Sequence, residues 1–168
     1  MSRDTVRDSR GSLDGAFPLT TWVRSDLNEI LRDVIGNCQP LLVDAEIALA
    51  VEMTSNLPGI MADREALAAV LFALVVRGQH SIAKAEQHNG MIRLKTWAQH
   101  DSVYLSLADN GLGATSGDEH QYVGMGLTEC AEIIADHGGR MFSWRTYVGD
   151  STYTLELSGI RQGPATSG

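Results

Sequence analysis

The chain has 168 residues, of which 43% are hydrophobic and 20% charged, and carries a formal net charge of −8. That length and balance predict one globular domain with room for a substantial core. The acidic balance, with no basic run to neutralise phosphates, argues against a nucleic-acid partner.

Residues 1–22 mix charge, Ser and Gly with little periodicity and are expected to be a flexible segment without the apolar stretch of a signal peptide. Ser25 is placed to N-cap a helix from Asp26, where Leu27, Ile30, Leu31 and Val34 form an i, i+3, i+4, i+7 stripe that Pro40 interrupts or ends. Ile47 to Met53 reads as a strand with Ile47, Leu49 and Val51 on one face, followed by the turn signal Asn56-Leu57-Pro58-Gly59. Asp63 is the expected cap of a second helix running to about Lys84, with Leu67, Val70, Leu71 and Leu74 on its apolar face. Its uncharged run, Ala66 to Val76, is shorter than the roughly 20 residues that span a bilayer.

Met91 to Trp97 and Val103 to Ala108 alternate as two antiparallel strands around Gln99-His100-Asp101. A third helix is expected over Leu127 to Asp136, closed by Gly138-Gly139. Met141 to Arg145 and Thr152 to Leu157 form a last hairpin, and residues 161–168 are a Gly/Pro/Ser-rich tail expected to be disordered. Cys38 and Cys130 lack metal-ligand spacing and read as reduced, partly buried thiols of a cytoplasmic protein. The order helix, strand, helix, two strands, glycine loop, helix, two strands predicts an α+β fold over residues 23–160. It is a two-layer sandwich with three helices on one face of a mixed, mostly antiparallel sheet.

Three short runs carry the chemistry: Asp109-Asn110-Gly111-Leu112-Gly113, Gly124-Met125-Gly126-Leu127 and His137-Gly138-Gly139-Arg140. Asp109 closes an apolar strand, where a carboxylate is costly unless paired, and there it can accept from an exocyclic amine. Gly111 and Gly113 allow a backbone to pass close to a ligand. Gly124 and Gly126 open a helix whose free amide N–H groups suit phosphate. A plain Asp-Asn-Gly turn and loop glycines account for each piece alone; the ordered series is what is specific. His137 reads as a structural residue at a helix end.

The series resembles the ATP-binding catalytic domain of sensor histidine kinases, in the ATPase group that also holds the gyrase B subunit, MutL and the ninety-kilodalton heat-shock chaperones. DNGLG looks like the first glycine box, YVGMGL like the second, and HGGR points to the kinase branch. The resemblance covers roughly Asp26 to Ser158. It implies a Bergerat-type fold, ATP as cofactor, and nucleotide contacts from Asp109, Gly111, Gly113, Gly124, Met125, Gly126, Leu127, Arg77, Ser81 and Ser151. It also implies, as partners, a histidine-containing dimerisation or phosphotransfer domain and a response regulator.

The chain departs from that pattern in three places. The stretch before Asp26 is too short for the helical hairpin that carries the phospho-accepting histidine. Ala114 to Val123, the counterpart of the ATP lid, has no Phe, and Tyr122 replaces the first glycine of the second box. Arg77 stands where the second helix of the kinases carries a Mg²⁺-binding Asn, and its five donors offer a metal no acceptor. Ala73, His80 and Ser81 share its helix face.

Arg77 is open to two readings: a guanidinium that meets the phosphates in place of metal charge, or a partner of Asp109 or another carboxylate in a vestigial site. Three functions follow: a histidine-kinase ATP-binding domain presenting ATP to a histidine elsewhere; a degenerate, non-catalytic module docking a response regulator or phosphotransfer partner; or an anti-sigma-factor-type kinase.

Overall fold

A computed structural model of the chain describes residues 21–112, 124–146 and 150–161. Among these, ten elements follow in order: β1 (Trp22–Ser25), α1 (Leu27–Asp44), β2 (Ala48–Met53), β3 (Ile60–Asp63), α2 (Arg64–Lys84), β4 (Met91–Gln99), β5 (Ser102–Asp109), α3 (Leu127–Asp136), β6 (Arg140–Arg145) and β7 (Ser151–Ser158). A five-stranded sheet in the order β2-β4-β5-β7-β6 is parallel only between β2 and β4. The helices cover one face of it, as the order of elements implies. The segments 1–20, 147–149 and 162–168, the lid counterpart 114–123 with Tyr122, and Gly113 lie outside the described residues.

The core is built by alternation. Ile92 and Leu94 on β4, Val103, Leu105 and Leu107 on β5, and Tyr153, Leu155 and Leu157 on β7 are all buried toward the helices. Against them pack Leu27, Ile30, Leu31, Val34, Cys38 and Leu42 of α1 and Leu67, Val70, Leu71 and Leu74 of α2. Fully burying such a side chain stabilises the fold by about 1.5–3 kcal/mol. β2, at the sheet edge, buries Ile47 beside it and half-buries Leu49, but leaves Val51 exposed.

The structure departs from these expectations at four points. First, Asp26, not Ser25, caps α1: its carboxylate accepts from Asn28 N–H at 2.8 Å. Ser25 is instead the last residue of β1, and its hydroxyl donates to the Val23 carbonyl. Second, α1 continues through Pro40 to Asp44, because Leu42 extends the buried stripe and its burial outweighs one missing backbone hydrogen bond. Third, β1 and β3 are strands that the sequence reading lacks. Each has four residues, and they pair with each other, Trp22 opposite Asp63 and Ser25 opposite Ile60, with one further bridge from Ile60 to Gly159. Fourth, α2 as a whole is long and apolar enough to cross a membrane by composition, but half of that stretch is buried inside this fold.

Asp63 caps α2 as expected, accepting from Glu65 and Ala66 N–H at 3.1 Å. The helix α3 also ends as expected. Gly138 has φ +68, and the Gly139 N–H returns to the Ile134 carbonyl at 2.9 Å. Cys38 and Cys130 are both free and buried, and burial pushes each thiol up to about 11.

Candidate nucleotide site

Asp109 is the last residue of β5, the central strand of the sheet, and is 3% exposed. Its Oδ1 accepts from the Gly111 N–H at 3.0 Å, while its buried Oδ2 has no hydrogen-bond partner. Burial raises its carboxyl above the ordinary carboxylate range. Hydrogen bonds from Ser81 and the Gly111 N–H pull it back, Asp150 raises it further and Arg145 lowers it. A buried oxygen left open in this way is an acceptor waiting for a donor.

The turn after Asp109 is tied on several sides. Asn110 Oδ1 accepts from Met91 N–H and its Nδ2 donates to the Asn89 carbonyl, both at 2.8 Å. At Gly111 a Cβ would fall 2.3 Å from Ser81 Oγ and 2.6 Å from Ile82 N. This glycine is therefore required by the close approach of α2, a cause the sequence alone assigned to the ligand. One turn earlier on α2, Gly78 lies against Ile92 and Asp109 Cβ, which brings Ser81 to the carboxylate.

The predicted residues divide clearly. Asp109, Gly111, Ser81 and Ser151 come together, with Ser151 the direct β7 partner of Asp109. Arg77 is 8% exposed on α2. It hydrogen-bonds to the Tyr153 side chain and acts on Cys130 of α3, whereas the charge effects on Asp109 come from Asp150 and Arg145. The Arg77 guanidinium thus meets the Tyr153 side chain, which β7 places facing the helices. Of the predicted helix face, Ala73 and Arg77 are buried, Ser81 is half-buried and His80 is exposed.

Gly126 is the N-cap of α3, with φ −74 and open space around a would-be Cβ, and no side chain caps the helix. Its first-turn amides are therefore not occupied by a side-chain cap. Met125 and Leu127 are half-buried against the core, and Gly124, with φ 150, is exposed. Gly124 and Met125 also border an apolar groove of ≈ 630 Å³ between α1 and α2, walled by Val34, Phe72 and Val76.

His137 is structural, as expected: its Nδ1 donates to the Ile133 carbonyl at 2.7 Å and its Nε2 accepts from Asp63 N–H at 3.2 Å. The Trp22 ring lies over it at 4.5 Å. Sequence reasoning missed Tyr153 and Arg145. A tyrosine at an inward position of an alternating strand was the available signal for the first; the second depends on strand register.

No family model matches the chain. It is 29% identical over 159 residues to the signal transduction histidine-protein kinase AtoS of Escherichia coli K12, covering 86% of this chain and 25% of that protein. The chain thus spans about a quarter of the length of this curated relative. Among solved structures, the catalytic domain of histidine kinase ThkA superposes with a TM-score of 0.68 at 23% identity, covering 83% of this chain and 96% of that one. ThkA has also been solved in complex with the response regulator protein TrrA. Full-length ShkA in complex with AMPPNP superposes with a TM-score of 0.69 at 21% identity, covering 86% of this chain and 32% of that one. The architecture of the sheet and its three helices is that of these catalytic domains. The chain therefore has the fold of the histidine kinase catalytic domains, the fold that its glycine boxes and HGGR turn implied.

Proposed function

We propose that this domain binds ATP in the crevice beside Asp109 and, within a cytoplasmic two-component system, presents the γ-phosphate to a histidine on another domain or chain. The observation that carries the reading is the buried, unpartnered Asp109 Oδ2, which fits the exocyclic amine of adenine. Ser81 and Ser151 flank the carboxylate, and the Gly111 N–H holds it in place. The uncapped first turn of α3, at Gly124, Met125, Gly126 and Leu127, offers amide N–H groups to the phosphates. Transfer would then rest on positioning and charge stabilisation, the main contributions an enzyme makes to phosphoryl transfer.

The α2 residues on this side are Ala73, Arg77 and Ser81. Together they supply one hydroxyl and no carboxylate or amide oxygen, a donor set that does not fit Mg²⁺. The nucleotide is accordingly read as held without a divalent ion. A second reading, a non-catalytic module that docks a response regulator or phosphotransfer partner, is favoured by the same arginine, buried and committed to Tyr153.

Thermal unfolding with ADP and ATP, in Mg²⁺ and in EDTA, tests both readings. A ligand at 100 times its Kd adds about 2.7 kcal/mol. The expected result is a nucleotide shift that is equal in the two buffers, and Arg77→Asn is expected to make it Mg²⁺-dependent. No shift with any adenine nucleotide would sink the ATP reading. A shift without phosphotransfer to a histidine-bearing domain would select the docking module.

A further inference from the structure

One row of paired residues crosses the site end of the main sheet: Ile92 on β4, Asp109 on β5, Ser151 on β7 and Arg145 on β6. Residues paired in this way project from the same face of a sheet. Ile92 and Asp109 are buried on the helix side, so Arg145 leaves β6 on that side too, two strand spacings or about 10 Å from Asp109. Ser151 between them is small and buried. From β6 the exposed Arg145 side chain donates through Nη2 to the Leu112 carbonyl.

Leu112 directly follows Gly111, whose N–H holds the Asp109 carboxylate. The turn is thus anchored from three sides: Asn110 to the β4 side at Met91 and Asn89, Gly111 against α2, and Leu112 to β6 through Arg145. Only the third anchor is a side chain carrying charge.

We propose that Arg145 is a positioning residue for nucleotide recognition, closing the Asp109–Leu112 turn from β6 and keeping a positive charge beside the carboxylate that receives the base. This rests on the adenine reading of Asp109 given above. Among the described residues, the groups that act on Asp109 are Ser81 from α2, Asp150 ahead of β7 and Arg145 from β6, with Tyr153 of β7 interacting with both Asp109 and Arg77. Burial and Asp150 both favour the protonated carboxyl, and Arg145 is the cation that opposes them at this group. Protonation would cost Asp109 an acceptor position, so loss of the guanidinium acts on recognition as well as on the turn.

Arg145→Gln and Arg145→Lys in the full chain separate this role from simple packing. Two readouts are followed across pH: the Asp109 carboxyl titration by ¹³C NMR, and ADP affinity by calorimetry. Arg145→Gln is expected to raise the Asp109 midpoint, weaken ADP roughly 3- to 10-fold near neutrality, and move the acid limb of the affinity profile upward. Arg145→Lys is expected to restore the midpoint and most of the affinity. An Asp109 midpoint unmoved in Arg145→Gln overturns the proposal, whether or not affinity falls. If the unsubstituted chain binds no adenine nucleotide, the adenine reading fails by itself, and the NMR midpoint still decides whether Arg145 governs Asp109.

Discussion

At the residue scale, Asp109 sets stability against binding. Its carboxyl is raised by burial, so the charged form destabilises the folded state at pH values above its folded pKa. That penalty disappears below the ordinary carboxylate range near 4. Asp109→Asn keeps an oxygen for the Gly111 N–H and removes the charge. It is expected to stabilise the domain by about 1–2 kcal/mol at neutral pH, an advantage that fades as pH falls through the Asp109 titration. Chemical denaturation at pH 7.5 and pH 4 measures this. The same change turns an amide donor toward the adenine amine, and ADP affinity should fall roughly 10- to 100-fold, the scale of a lost charged hydrogen bond. A variant that loses stability at neutral pH would show that the carboxylate is part of the structure and is not held in reserve for a ligand.

At the element scale, the two glycine boxes differ in kind. Gly111 sits where a Cβ would enter the backbone of α2 at Ser81 and Ile82, so Gly111→Ala must push the turn and the helix apart. A loss of about 1–3 kcal/mol is expected, as for other overpacked sites, measurable by urea denaturation of the apo protein. Gly126 has open space around it and an extended backbone suited to a capping side chain. Gly126→Ser is expected to raise apo stability by a few tenths of a kcal/mol while weakening ADP, because the serine hydroxyl competes with phosphate for the α3 amides. If Gly126→Ser binds ADP as tightly as before, the amides of α3 are not the phosphate site. Both boxes were legible as motifs, but which glycine is demanded by packing was not, since that depends on how closely α2 approaches β5.

At the scale of the whole molecule, the face of the sheet away from the helices is tied together by Glu156. Its carboxylate accepts from Ser102 at 3.1 Å, Tyr104 at 3.2 Å and Arg140 at 2.7 Å, linking β5, β6 and β7. Burial alone would raise this carboxyl, but the hydrogen bonds from Ser102, Arg140 and Tyr104 outweigh it and hold it below its usual range. A lowered carboxyl contributes stability that is present above the unfolded value near 4.3 and is lost as pH falls through the folded one. Glu156→Gln should therefore cost about 1 kcal/mol or less at neutral pH, the scale of a partly exposed ion pair. The gap from the unsubstituted protein should close below pH 4. A gap that persists at pH 3 would assign the effect to the neutral hydrogen bonds.

What the chain determines by itself is what local pattern can carry. The alternating apolar positions of β4, β5 and β7, the Asp63 cap, the bounds of α2 and α3 and the Gly138 stop all follow from short-range chemistry, and the glycine boxes with HGGR carry the resemblance that implied the fold. Tertiary structure decided the rest. The strands β1 and β3 form by pairing with each other, with Ile60 bridged to Gly159, and α1 runs through Pro40 because Leu42 is wanted in the core. Arg77 meets Tyr153, and Arg145 reaches Leu112, because strand register and helix approach bring together residues that are 76 and 33 positions apart. Distances of that kind are set by the sum of all packing contacts, and no window of sequence contains them.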